Sequence, residues 1–119
     1  MTSNQVIALL GISAVLAAGQ TLFKVAAMKL KGAGAASTDL FALATIPSFW
    51  IALALYGLGT LLWIFILQTV PLSRAYPFMA LAFVMVPLLA MALFSEKLSL
   101  TYAIGTLLIV AGVVVTSRA

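Results

Sequence analysis

The chain contains no cysteine and no histidine, and Asp39 and Glu96 are its only acidic residues among 119. Without thiols or imidazoles there can be no disulfide, no cysteine nucleophile and no zinc site of the usual kind. Neither a metal nor a cofactor is expected. Paired carboxylates, a nucleophile–base pair and a phosphate-binding glycine loop are also missing, so the chain does not read as an enzyme. Charged residues make up 7% of the chain, against about 25% in soluble domains. So little polar surface could not cover a water-soluble globule. The four lysines and two arginines give a net charge of +4, but they are too scattered to form a nucleic-acid patch. Anionic lipid headgroups are the better match.

What the chain does have is hydrocarbon. Hydrophobic residues make up 66% of it, mean hydropathy is +1.30, and several runs reach the roughly 20 residues needed to cross a bilayer. The reading is an all-α integral membrane protein with four transmembrane helices, one domain over residues 1–119. The spans are expected at about 5–30, 47–68, 77–95 and 100–117. The stretch Met1–Gln5 lacks the basic n-region of a secretory signal, so the first helix is expected to be retained.

In the first span Gln20 and Lys24 share a helical face, and Gly11, Ala14 and Ala17 offer a surface for close helix contact. Lys24 lies near Lys29 and Lys31, so snorkelling and a substrate role both stay open. Gln20 is deeper and should hydrogen-bond inside the bundle. In the loop from Lys31 to Asp39, Ser37 or Thr38 is expected to cap a short interfacial helix, with Asp39 solvated. Pro47 suits the first turn of the second span, Trp50 and Trp63 suit interfacial anchors, and Gly57 and Gly59 suit close packing. The Tyr56 hydroxyl suits an interhelical hydrogen bond.

The turn at Thr69–Pro71 makes the second and third spans antiparallel neighbours. Pro77 disfavours helix at Tyr76, so residues 73–76 are expected to be loop or a separate turn, and Pro87 should kink the third span. Glu96 and Lys97 are expected to be solvated in the next turn. Gly105 and Gly112 line one face of the last span, a helix-packing or dimer interface. One side of the membrane collects Arg74 and Arg118, the other Lys29, Lys31 and Lys97. That near-balance does not orient the chain and allows an antiparallel dimer.

The stretch Pro71-Leu-Ser-Arg-Ala-Tyr-Pro77 concentrates polar chemistry between two apolar runs, and the arginine fork suits phosphate or carboxylate. It follows Gly19-Gln-Thr-Leu-Phe-Lys24 and Trp63, and it precedes Phe94-Ser-Glu-Lys-Leu-Ser99 and Gly105-Thr-Leu-Leu-Ile-Val-Ala-Gly-Val113. In this order the motifs resemble the four-helix branch of the drug/metabolite transporter superfamily. Two groups in that branch are nearest: the small multidrug resistance exporters, and the flippase subunits for undecaprenyl-phosphate-linked aminoarabinose. The exporters carry a glutamate eight residues before the lysine that matches Lys24; this chain has Leu16 there. A leucine cannot exchange a proton for a cationic drug.

The resemblance therefore runs to the flippase subunits. It implies movement of a polyprenyl-phosphate-linked sugar across the bacterial inner membrane, for modification of lipopolysaccharide or another envelope glycan. It also implies a homodimer, or a heterodimer with another small four-helix subunit. Lys24 and Arg74 would then meet the phosphate, with Gln20, Ser73 and Tyr76 bonding phosphate or sugar hydroxyls. The alternatives are a small multidrug or metabolite exporter, or a partner subunit that does not itself transport. Within one subunit Lys24 and Arg74 are expected near opposite membrane faces, about 20–30 Å apart.

Overall fold

The computed structural model describes residues 2–32, 34 and 39–118, and all its regular structure is helical. Six helices follow in order: α1 (Ser3–Gly32), α2 (Leu40–Ala44), α3 (Pro47–Leu67), α4 (Leu72–Met79), α5 (Ala82–Phe94) and α6 (Leu100–Ser117). Among the described residues, four segments are long and apolar enough to cross a membrane: α1, α3, α4 with α5 as one span from Leu72 to Phe94, and α6. The protein is a multi-pass membrane protein.

The helix α1 is the axis of the fold. It packs against α3 on one side and against α4 and α5 on the other, while α6 leans on α4 and α5. The result is a slab of 49 × 36 × 20 Å rather than a closed bundle. Its thin dimension is about two helix diameters.

The buried stripe of α1 runs through Leu9, Ile12, Ser13, Leu16, Ala17, Gly19 and Ala26, the three-to-four spacing of one helical face. Close approach to α3 happens on this stripe. A Cβ on Gly19 would stand 3.3 Å from Tyr56 Cδ2, and one on Gly59 would stand 2.7 Å from Leu16 Cδ2. Gly11 and Gly57 meet nothing within 4 Å and Ala14 is exposed. Of the small residues expected at this contact, Ala17 and Gly59 lie in it, Gly11, Ala14 and Gly57 face away from it, and Gly19 joins it.

The third span departs from expectation more sharply. It becomes helical at Leu72, with Pro71 as N-cap, and Tyr76 and Pro77 lie inside α4. A proline at this depth leaves the carbonyl four residues back without its N–H partner. That carbonyl belongs to Ser73, which is exposed near the helix start, where water or headgroups can satisfy it. The interruption falls later, at Ala80–Leu81. There Ala80 N–H donates to Pro77 O, Leu81 N–H to Phe78 O and Phe83 N–H to Ala80 O, at 2.9–3.1 Å, the tighter three-residue spacing of a 3₁₀ turn. Pro87 is buried within α5, which continues to Phe94.

The short helix α2 is capped by Asp39, whose carboxylate accepts from Ala42 N–H at 3.1 Å; Ser37 and Thr38 lie outside the described residues. Trp50 Nε1 donates to Ala44 O at 2.8 Å, tying α2 to the start of α3. Leu40 and Phe41 are 74% and 89% exposed, as suits a helix lying in the membrane interface.

Candidate functional site

Two contacts join α1 to turns at its opposite ends. At one end Gln5 Nε2 donates to Thr69 Oγ1 at 3.1 Å. At the other Lys24 Nζ lies 3.8 Å from Glu96 Oε1. Along α1 the rise from Gln5 to Lys24 is about 28 Å, close to the roughly 30 Å thickness of bilayer hydrocarbon. Lys24 and Glu96 thus lie about one bilayer thickness from the Gln5–Thr69 contact, with Lys29 and Lys31 further along α1.

Between α1 and α5 the slab opens into a groove of about 390 Å³. Gln20, Phe23 and Lys24 line it from α1, Val86, Ala90 and Phe94 from α5, and Glu96 stands at its mouth. An adjoining hollow of about 250 Å³ shares Gln20 and adds Phe83, Pro87 and Tyr102. Gln20 is thus the polar group common to both. Its Nε2 donates to the Tyr56 hydroxyl at 3.2 Å, and the Tyr56 ring rests against Phe23 with centroids 5.8 Å apart. These contacts hold the amide at the wall of the groove, the interhelical bond expected of both Gln20 and Tyr56.

Glu96 reaches Lys24 because the chain turns abruptly after α5. Ser95 adopts a left-handed conformation, φ 54°, and its N–H points to the Ala90 carbonyl; Glu96 N–H is directed to the same oxygen at 3.4 Å. Glu96 is exposed, as expected of a charge in this turn, and its carboxylate also faces Lys24.

Arg74, Ser73 and Tyr76 stand at the opposite end. Ala75 is fully buried in a cluster with Leu9, Val70 and Phe78, which fixes α4 against α1 and leaves Ser73 and Arg74 on the exposed side of its first turn. Tyr76 is also exposed, its ring edge-on to Trp63 with centroids 6.5 Å apart. Because α4 begins at Leu72, the amide groups of a helix start and the Arg74 guanidinium belong to one turn. Taking Leu9 as the level of Ala75, Arg74 and Lys24 are separated by about 22 Å along the membrane normal. The structure does not bring them together. Gly105 and Gly112 belong to neither region: both meet nothing within 4 Å, and α6 buries no residue.

Leu16, the position that separates the two transporter groups, is buried at 7% exposure and wedged against Gly59 of α3. It fills the α1–α3 seam.

The probable 4-amino-4-deoxy-L-arabinose-phosphoundecaprenol flippase subunit ArnE of Enterobacter sp. (strain 638) is 43% identical over 72 residues, which cover 59% of this chain and 67% of that protein. The chain belongs to the ArnE family. An ArnE of Pseudomonas aeruginosa (strain UCBPP-PA14) is 47% identical over 72 residues, covering 60% of this chain and 63% of that protein. The ArnE of Erwinia tasmaniensis is 49% identical over 61 residues, covering 51% and 56%. The chain thus spans between 56% and 67% of the length of these ArnE relatives. No family model matches the chain, and no solved structure matches it.

Proposed function

We propose that this chain is a subunit of a flippase that carries a polyprenyl-phosphate-linked sugar across the bacterial inner membrane, for modification of lipopolysaccharide or another envelope glycan. The observation that supports this reading is a pair of polar clusters about 22 Å apart along the direction of α1. Lys24 and Gln20 line a groove at one, and Arg74, Ser73 and Tyr76 share the helix start at the other. A lipid phosphate leaving one leaflet and entering the other needs a cation at both ends, because unpaired charge in hydrocarbon is costly. Arg74 offers bidentate geometry and a helix N-terminus, and Lys24 offers a point charge on a flexible stem. The polyprenyl tail stays in the bilayer beside the slab.

Leu16 favours an anionic lipid over a cationic drug, since its burial against Gly59 leaves the seam without a carboxylate. The open face of α6, with Gly105 and Gly112 uncovered, takes a second subunit, either another copy or a related four-helix protein. The relatives are named as subunits, which agrees with an assembly of this kind.

Reconstitution of the full chain, with any co-purifying subunit, in liposomes holding an amino-sugar-linked polyprenyl phosphate tests the proposal. A membrane-impermeant amine-reactive reagent should label the whole pool with time. Labelling that stops at the outer-leaflet fraction, as in protein-free liposomes, would refute it.

A further inference from the structure

Lys24 and Glu96 form an ion pair at 3.8 Å, with side chains 49% and 44% exposed. A pair this exposed adds little to stability, and neither member is locked in place. The left-handed Ser95, φ 54°, that ends α5 turns the chain so that Glu96 faces Lys24. A carboxylate at a membrane boundary is also repelled by anionic headgroups. A neutral sugar would use neither charge, and a bare phosphate would be drawn to Lys24 but repelled by Glu96. A headgroup carrying both a phosphate and an ammonium would use both.

The sugar in the names of the ArnE relatives is an amino sugar linked to a polyprenol phosphate. We propose that Glu96 binds the ammonium of the amino sugar while Lys24 binds the phosphate, the resting ion pair opening into two ion pairs with the headgroup. This rests on the flippase reading above and adds to it the residue that selects an aminated sugar. The lysine stem has the freedom to separate from Glu96 by the length of a sugar ring. Gln20 lies beside Lys24 for the ring hydroxyls, and Phe23 and Phe94 supply the apolar walls. Acylating the amine removes the charge that Glu96 reads.

The test uses the full chain, with any co-purifying subunit, in nanodiscs of zwitterionic lipid. Two probes are titrated by native mass spectrometry: farnesyl phosphate bearing 4-amino-4-deoxyarabinose, and its N-acetylated counterpart. The wild type should bind the amine about tenfold more tightly, the scale of one added charge-assisted contact. Glu96→Gln should lose that preference while binding the N-acetyl probe at least as well, and Glu96→Asp should keep it. Lys24→Gln should weaken both probes. Equal binding of the two probes by the wild type, or a preference that survives Glu96→Gln, overturns the role of Glu96 and leaves the flippase reading standing if Lys24→Gln still weakens both. Wild-type protein that binds neither probe removes the flippase reading and this inference together.

Discussion

The Ser13 hydroxyl, 1% exposed, lies 3.0 Å from the carbonyl of Leu9 in its own helix and 2.9 Å from that of Phe78 in α4. One hydroxyl proton serves two acceptors, and the second stands where α4 gives way to the tight turn before α5. Ser13 thus pins the interruption of the third span to the central helix. Ser13→Ala should destabilise the protein by about 1 kcal/mol, the scale of one interhelical hydrogen bond in a membrane protein. The check is the midpoint of unfolding in mixed micelles, with the far-ultraviolet helical signal unchanged.

The seam between α1 and α3 depends on a missing side chain. An added methyl at Gly59 would stand 2.7 Å from Leu16 Cδ2 and 3.3 Å from Cγ. Gly59→Ala should cost about 1–3 kcal/mol by overpacking. Combining it with Leu16→Ala should cost less than the sum of the two single changes, since the smaller side chain makes room. A double-mutant cycle on thermal unfolding measures this coupling, and strict additivity would mean that the two residues do not press on each other.

Leu16→Glu should not turn the chain into a cation exporter. The position is 7% exposed, and a carboxylate there would be buried against α3 without a partner, at a cost of about 3 kcal/mol or more. The expected outcome is a lower unfolding midpoint and no uptake of a lipophilic cation. Proton-driven cation uptake by the variant would show that the seam is an unused transport site.

Gly105 and Gly112 should matter to assembly and not to the folding of the single chain. A Cβ at either glycine would stand more than 4 Å from any neighbour. Gly105→Leu with Gly112→Leu should leave the helical content unchanged and weaken association about tenfold or more, because bulky side chains hold helices apart. Native mass spectrometry across a dilution series reads this directly.

The spans were legible in the sequence because hydrophobic length and proline placement act locally. Pro47 opens α3 where a missing N–H is harmless. Pro77 misled because its local effect on Tyr76 is real but weaker than the tertiary hold on α4, whose Ala75 and Phe78 are buried against Leu9 and Val70. The small-residue contacts were only partly legible: of the five candidates in the first two spans, Ala17 and Gly59 are buried, whereas Gly11, Ala14 and Gly57 point away from the packed faces and are exposed. The Lys24–Glu96 pair had no sequence signal. It joins residues far apart in the chain through a left-handed serine, a conformation that residue type does not announce. Arg74 and Lys24 were correctly expected at opposite ends, since that follows from counting helical rise.

Passage of a lipid phosphate from one boundary station to the other requires the cation at each end. Transport by Lys24→Ala and by Arg74→Ala in the same liposomes, scored by labelling of the amino-sugar lipid with an impermeant reagent, tests it most directly. Each single substitution should reduce the rate at least tenfold, because each removes the cation at one boundary. Wild-type rates in both variants would contradict the account.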